Sequence, residues 1–218
     1  HVDGAYGAAA VLCQRGQQLL RGLARVDSLA LDPHKWLFQP YEIGCILVRD
    51  GRWLRQTFHI LPEYLADVEG QEGEINLCDY GLQLTRGFRA LKLWMSLKLF
   101  GRSAFAKAIN RGFDLAEVAE TIVDDMRDWE VVTPGQMGIV TFRYAPPGMP
   151  AEEVDWLNGE LVPTMMADGF AMISSTILRG KTVLRMCTIN PRTTEADIRE
   201  TLGKLDRMGQ NLSSDSQR

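Results

Sequence analysis

A histidine and a lysine stand side by side in the segment DPHKW, residues 32–36. The segment follows a predicted strand, so the backbone of Lys35 is fixed at a strand-to-turn corner and its side chain can point into a cleft. Lysine forms imines with carbonyl compounds when desolvation or a neighbouring cation lowers its pKa. The segment therefore predicts covalent chemistry at Lys35. The alternative interpretation is an exposed lysine beside an unrelated histidine, His34.

The segment HVDGAYG, residues 1–7, offers a carboxylate in a comparable place. Asp3 stands at the carboxyl end of a predicted buried strand, and small residues follow it. Ligands of open α/β folds bind at the carboxyl edge of the parallel sheet. An aspartate there can hold a ring nitrogen protonated, and Ala5 lets a flat ring approach closely. The alternative is an aspartate that caps the next helix.

Together these motifs, with Lys35 following Asp3 by 32 positions, resemble the group II pyridoxal-phosphate-dependent amino-acid decarboxylases. The resemblance continues through LTRGFRALKLW at 84–94 and GKTVLRMCTINPRTTEADI at 180–198. It extends to about residue 208 and is strongest to the bacterial aromatic amino-acid decarboxylases. It implies the aspartate-aminotransferase-like fold, fold type I, for the C-terminal portion of such an enzyme.

The resemblance also implies roles for individual residues. Lys35 would form a Schiff base with the aldehyde of pyridoxal 5′-phosphate, and Asp3 would pair with the protonated pyridine nitrogen. Ala5 would pack against one face of the ring. His34 would lie near the cofactor phosphate or the substrate carboxylate. Many relatives have Asn at the position of Asp32, so its role stays open.

A long loop over about residues 58–78 contains LPEYL, residues 61–65, which resembles the mobile catalytic loop of the same family. The resemblance implies that Tyr64 protonates the substrate α-carbon in the site of the partner subunit. A phenol brought in by loop closure is a positioned general acid. Relatives with Phe there form aldehydes, so Tyr64 favours simple decarboxylation. The alternative is a tyrosine that only packs its own loop.

The elements that must position these residues alternate along the chain. We predict strands over 1–3, 28–32 and 43–49, a helix over 8–25, and a helix around 84–100 that is buried on most sides and broken at Gly101. Strands over 130–133, 138–144, 170–175 and 182–189 then alternate with helices over 103–126, 151–168 and 194–208. The last helix begins with a capping box of Thr194 and Asp197. The pattern predicts an α/β architecture: residues 1–101 as the C-terminal part of a large cofactor-binding domain, and 102–218 as a small α+β domain.

Other side chains at family-typical positions are assigned structural roles. We expect Arg86, Arg89 and Arg185 to be buried and to pair with carboxylates or backbone carbonyls, and Trp36 and Trp94 to be core aromatics.

Composition narrows the class of protein. Among 218 residues, 24 basic and 28 acidic side chains give a net charge of −4, without the basic stripe of a nucleic-acid-binding protein. Four scattered cysteines and three histidines suggest neither a disulfide scaffold nor a zinc site. Because a disulfide scaffold would need more cysteines, the composition favours a protein located in the reducing cytoplasm. No apolar run reaches the length of a membrane span. These observations leave a cytoplasmic globular protein as the expected class.

The functional hypothesis is pyridoxal-phosphate-dependent decarboxylation of an aromatic L-amino acid to its amine and CO₂. The resemblance implies a homodimer, and the family's first half, which normally supplies the phosphate-cradling loop, is absent from this sequence. We therefore expect a complementary N-terminal segment as a partner. Two alternatives remain: a non-catalytic remnant of the same fold, or a reaction with another outcome, such as aldehyde-forming deamination or transamination.

Overall fold

The computed structural model describes residues 1–60 and 75–216, and its chain divides into two compact units. The first unit comprises His1–Ser103 and the second Ala104–Arg218. Each unit is described separately below.

The first unit contains a three-stranded sheet in the order β1-β2-β3. The strands are β1 (Val2–Asp3), β2 (Ser28–Leu31) and β3 (Cys45–Val48). Strands β1 and β2 run parallel, with Asp3 beside Ala30, whereas β3 pairs antiparallel with β2. The three predicted strands are thus confirmed, with β3 shorter than expected.

The connection from β1 to β2 is not the single helix predicted over 8–25. It consists of a 3-10 helix, Gly7–Leu12, the short helix α1, Gln14–Leu19, and a 3-10 turn, Leu23–Arg25. Cys13 is extended between the first two, and its Sγ accepts a hydrogen bond from Gly16 N–H at 3.4 Å. A Cβ on Gly16 would lie 2.0 Å from the Ala10 carbonyl oxygen, so only glycine lets the chain turn back this closely.

The first unit also contains helices. Helix α2 spans Arg52–Phe58, a 3-10 turn spans Leu77–Tyr80, and helix α3 spans Arg89–Asp124. The predicted break is confirmed because Gly101 has φ 74° and ψ 159° inside α3.

The predicted burial of the segment before Gly101 is wrong. Its large apolar side chains are exposed rather than buried, and the core assignment of Trp94 fails with them, whereas Trp36 is fully buried. Helical periodicity predicted the helix correctly from Arg89 onward, whereas Leu84 and Phe88 precede it. Periodicity does not specify what covers an apolar stripe. The exposed side chains are Leu84, Phe88, Leu91, Trp94, Met95, Leu97, Leu99 and Phe100.

The second unit is built on a four-stranded antiparallel sheet in the order β4-β5-β7-β6. Its strands are β4 (Trp129–Gln136), β5 (Ile139–Tyr144), β6 (Ser174–Leu178) and β7 (Lys181–Cys187). Helix α4 (Ala151–Asp168) has the predicted bounds, and α5 (Glu195–Ser216) continues beyond the predicted end. The predicted strand at 170–175 is displaced toward the C-terminus.

The core of the second unit lies between this sheet and the helices. It is formed by side chains such as Leu115 of α3, Phe142 of β5, Leu161 of α4 and Leu202 of α5, all fully buried. The predicted capping box is confirmed: Thr194 Oγ1 accepts from Asp197 N–H at 3.2 Å, and Asp197 Oδ2 accepts from Thr194 N–H at 2.8 Å.

Across residues 1–60 and 75–216, none of the helices combines the length and the apolar character that crossing a membrane requires.

Candidate active site

The candidate site lies where β1 and β2 end at the same edge of the first unit's sheet. The strands are parallel, so the chain leaves both at their carboxyl ends, where α/β proteins bind ligands. Two backbone hydrogen bonds tie the exits together. Gly4 N–H donates to Ala30 C=O at 2.9 Å, and Asp32 N–H donates to Ala5 C=O at 3.0 Å. The predicted residues Asp3 and Ala5 therefore lie on the turn next to the one that contains Lys35.

Glycine is required at the first of these exits. A Cβ on Gly4 would lie 2.7 Å from both Ala8 Cβ and Leu29 Cδ1, closer than carbon atoms can approach. The missing side chain lets the segment after β1 pack directly on β2. This close packing holds the backbone that follows Asp3 against β2.

The carboxylate of Asp3 is exposed and oriented by its own turn. Its Oδ1 accepts a hydrogen bond from Ala5 N–H at 3.0 Å, the local pattern of an aspartate that stabilises a turn. The following 3-10 helix has Tyr6 at its N-cap position, without a side-chain cap. Asp3 thus stabilises the strand exit rather than capping that helix, and its carboxylate faces outward from the sheet edge.

Lys35 and His34 converge on Asp32. Lys35 Nζ lies 2.9 Å from Asp32 Oδ2, and the lysine side chain is 41% exposed. His34 Nε2 lies 3.8 Å from the same oxygen. The lysine amine and the imidazole of the DPHKW segment therefore face one carboxylate, which is more organised than an exposed lysine beside an unrelated histidine. Sequence reasoning left the role of Asp32 open, although its spacing of three residues from Lys35 in a turn was the available signal.

His34 is fixed by contacts on the side of its ring away from Asp32. Its Nδ1 lies 2.7 Å from the carbonyl oxygen and 3.2 Å from the amide nitrogen of Ile43, which is buried. The ring of Tyr41 meets the imidazole edge-on at a centroid distance of 5.0 Å. These contacts engage Nδ1 and leave Nε2 directed toward the Asp32 carboxylate.

An aromatic stack joins the two turns beneath these polar groups. The rings of Tyr6 and Trp36 are nearly parallel, with centroids 5.1 Å apart and an interplanar angle of 19°. Trp36 is fully buried, directly after Lys35. The stack stabilises the turn at the residue next to the lysine, which restricts where the lysine backbone can move.

The arginines at family-typical positions make structural contacts, but none of the three is buried. Arg86 donates to Leu77 C=O at 2.7 Å, and Arg89 forms an ion pair with Glu42 at 2.6 Å. Arg185 donates from Nε to Ser174 Oγ at 3.2 Å. Arg86 and Arg185 are exposed and Arg89 is only partly buried, so the expectation of burial is wrong for all three. Each guanidinium finds its partner at the surface.

Tyr64 and the rest of LPEYL lie outside the described residues.

Within the described ranges, no group of three or more His, Cys, Asp or Glu side chains is arranged to hold a metal ion.

The residues at the sheet edge fit one side of pyridoxal phosphate. That molecule presents an aldehyde that bonds to amines and a ring nitrogen that accepts a proton. A half-exposed lysine amine and an exposed aspartate carboxylate occupy neighbouring strand exits here. The donor set of Lys35, Asp3 and His34 therefore matches the chemistry of the cofactor that the motifs implied.

Comparison with known proteins agrees with this chemistry. The family model described as "Pyridoxal-dependent decarboxylase conserved domain" matches residues 1–145. An aromatic-L-amino-acid decarboxylase of Bacillus atrophaeus is 48% identical over 98% of this chain and 45% of its own length. A phenylacetaldehyde synthase of Arabidopsis thaliana is 31% identical over 92% of this chain and 41% of its own length.

Solved structures show the same likeness in three dimensions. The structure of Oryza sativa TDC with PLP and tryptamine superposes with a TM-score of 0.87 at 30% identity. The match covers 97% of this chain and 44% of that one. The chain thus spans less than half the length of the relatives it matches.

Proposed function

Since this chain belongs to the pyridoxal-dependent decarboxylase family and has the aspartate-aminotransferase-like fold type I, we propose that it is the lysine-bearing portion of an aromatic L-amino-acid decarboxylase. Pyridoxal 5′-phosphate is the cofactor of this family. The proposed reaction converts an L-amino acid to its amine and CO₂. The 48% identity to a bacterial aromatic-L-amino-acid decarboxylase supports the aromatic substrate class.

The observation that carries this proposal is the placement of Lys35 and Asp3 at adjacent exits of two parallel strands. A nucleophilic amine and a carboxylate are the two groups that hold opposite ends of the cofactor's reactive system. The backbone bonds between the exits, together with the stack of Tyr6 on Trp36, keep both groups on one rigid edge. Such preorganisation favours catalysis over mere binding.

The bound cofactor would supply the electron sink that accepts the electron pair left behind when CO₂ departs. In the proposal, Lys35 is the covalent attachment point, and Asp3 keeps the ring nitrogen protonated. Ala5, whose side chain is a single methyl group, permits close approach of a flat ring. His34, with Nδ1 engaged by Ile43, presents Nε2 to a phosphate or a substrate carboxylate.

Tyr64 completes the proposed site as the acid that delivers a proton to the substrate α-carbon. Its assignment rests on the resemblance of LPEYL to the catalytic loop of the family. We also propose that the enzyme is a cytoplasmic homodimer in which Tyr64 acts across the subunit boundary. A complementary N-terminal segment would supply the remaining walls of the site.

Reductive trapping tests the proposed attachment point. The chain is co-expressed with the part of the Bacillus atrophaeus decarboxylase that precedes its matched stretch, incubated with pyridoxal phosphate and reduced with borohydride. Peptide mass spectrometry should find the phosphopyridoxyl adduct on Lys35. The Lys35→Arg variant should lose the adduct, and the matched Lys92→Arg variant should keep it. An adduct confined to another lysine, or none at all, contradicts the proposal.

The phenylacetaldehyde synthase among the relatives favours aldehyde formation as a second candidate function. Product analysis on a panel of aromatic L-amino acids separates the two reactions. Decarboxylation yields the amine and CO₂ without consuming O₂. The aldehyde-forming reaction consumes O₂ and water and yields the aldehyde together with CO₂, ammonia and hydrogen peroxide. Amine as the sole product supports the decarboxylase. A complex that binds pyridoxal phosphate but converts none of the panel supports a non-catalytic remnant.

A further inference from the structure

The part of helix α3 before Gly101 turns its polar side toward its own unit. Arg89 pairs with Glu42, and Lys92 Nζ donates to the carbonyl oxygens of Pro40 and Glu42 at 2.7 and 2.8 Å. Ser96, one turn further along, donates to Gln39 Oε1 at 3.1 Å. A helix on the surface of a completed domain normally does the opposite and faces the core with its apolar stripe.

The apolar side of the same segment is exposed. Leu91, Met95 and Leu99 recur every fourth residue, so they lie along one side of the helix. Their exposed fractions are 39%, 56% and 77%. Phe88, the residue directly before α3, is also exposed. We call Leu91, Met95 and Leu99 the α3 apolar row.

Strand β3, at the edge of the sheet of the same unit, exposes apolar side chains on both faces. Ile46 and Leu47 are neighbours in β3, so their side chains point to opposite faces of the sheet. They are 48% and 53% exposed. Sheets with parallel strands are normally covered on both faces, and three strands of two to four residues are fewer and shorter than is usual. Among the described residues of this unit, both faces of β3 and the apolar side of α3 therefore lack full cover.

We propose that the α3 apolar row is a docking surface for the N-terminal half of the same enzyme fold. The chain spans 45% of the length of its Bacillus atrophaeus relative, so more than half of that fold remains to cover this unit. A second copy of the chain, related by a two-fold axis, would cover one patch and leave the opposite sheet face open. The N-terminal half can supply layers to both faces and to α3. The inference deepens the proposed function, because this partner would complete the site of Lys35.

Association of purified partners, without pyridoxal phosphate, tests the docking surface. The 218-residue chain and the N-terminal part of the Bacillus atrophaeus decarboxylase are co-expressed, and the mass of the complex is measured by light scattering after gel filtration. The triple variant Leu91→Asp, Met95→Asp, Leu99→Asp places charge on the row. The matched control carries Met172→Asp and Ile177→Asp, two exposed apolar side chains of the second unit.

We expect the two segments to be recovered in equal amounts in one complex. The row variant should weaken their association at least about tenfold, and the control should remain within about twofold of the original chain. Circular dichroism should show unchanged helix content in the row variant, because its substituted side chains are exposed. Absence of a complex, equal association of all variants, or a row variant that loses only self-association overturns the proposal. A complex that forms but gives no Lys35 adduct leaves the docking surface intact and contradicts the proposed function instead.

Discussion

Asp32 Oδ2 lies 2.9 Å from Lys35 Nζ, so the lysine amine is held by a carboxylate three residues earlier in the same turn. The same oxygen lies 3.8 Å from His34 Nε2. The carboxylate therefore organises both neighbouring side chains of the DPHKW segment. Because the lysine is part-exposed, this ion pair contributes little to folding stability, and its role is to position the amine.

Asp32→Asn should make the Lys35 amine more reactive toward acylating reagents. The amine must leave its hydrogen bond before it can attack a carbonyl, and a bond to a neutral amide is weaker than one to a carboxylate. We expect acetylation of Lys35 by trace acetic anhydride to be faster by roughly twofold to fivefold. Quantitative mass spectrometry of lysine-containing peptides measures the rate.

Lys92 provides an internal control for this experiment. Its amine is held by the carbonyl oxygens of Pro40 and Glu42, which the substitution leaves in place. The ratio of Lys35 to Lys92 acetylation should therefore rise in the variant. An unchanged ratio would show that Asp32 does not restrain the lysine. The free energy of unfolding should change by less than about 1 kcal/mol.

Asp3→Asn should reduce decarboxylation by the complex with the N-terminal half by about tenfold to a hundredfold, on the basis of the proposed function. The neutral amide no longer favours a protonated ring nitrogen, and a hydrogen bond to a charged group contributes about 1.5–3 kcal/mol. Amine production by the reconstituted complex measures the loss.

Asp27→Asn is the matched control for Asp3→Asn. Asp27 precedes β2 at the sheet end opposite the candidate site, and its carboxylate lies 3.5 Å from Arg49 Nε. We expect the control to keep at least half of the original activity. An exposed ion pair contributes little free energy, and a twofold loss of activity corresponds to only about 0.4 kcal/mol. Equal losses of activity in both variants would show that removing either negative charge has the same effect. That result would contradict a specific role for Asp3.

The sequence predicted the strand exits that carry Asp3 and Lys35, because the ends of these strands depend on local residue order. It predicted α4 correctly since the helix is bounded by Pro150 and by Gly169, which adopts a left-handed conformation. It failed for the stretch 8–25, where a side-chain contact of Cys13 and the close approach of Gly16 to Ala10 divide the helix.

Burial was the property that sequence periodicity could not predict. The row of Leu91, Met95 and Leu99 has the spacing of a core helix, yet these side chains are exposed. Periodicity identifies an apolar side of a helix, but burial requires a partner surface that a local pattern does not contain. The link between Asp32 and His34 was missed for a related reason, since it depends on how the turn folds.

Asn158→Ala should destabilise the second unit by about 2–4 kcal/mol. The buried Asn158 side chain accepts from Tyr144 N–H at 2.9 Å and donates to Tyr144 C=O at 2.8 Å. It also donates to Val154 C=O at 2.7 Å. Alanine removes these partners from backbone groups that stay buried. Urea unfolding followed by circular dichroism measures the change.

The exposed Asn211 on α5 serves as the control for this substitution. Asn211→Ala should change the free energy of unfolding by no more than about 0.5 kcal/mol. A similar effect of both substitutions would indicate that helix propensity, rather than the buried hydrogen bonds of Asn158, determines the result.

Tyr144 should make the second unit less stable in alkaline solution. Burial raises the pKa of the Tyr144 phenol above its usual value near 10, and the carboxylates of Asp128 and Asp206 raise it further. The pKa of the Tyr144 phenol is higher in the folded chain than in the unfolded chain. At pH values between these two pKa values, the folded chain keeps a proton that the unfolded chain releases. The stabilisation is therefore complete below about pH 10 and is lost as the pH rises through the folded pKa.

Tyr144→Phe should remove this alkaline loss. Phenylalanine keeps the aromatic packing against Trp129, whose ring centroid is 5.2 Å away, and it has no proton to release. Urea midpoints between pH 8 and pH 11 should fall less steeply for this variant than for the original chain. Tyr41→Phe, at an exposed position, should follow the original curve. Identical slopes for Tyr144→Phe and the original chain would show that burial of Tyr144 does not couple its ionisation to folding.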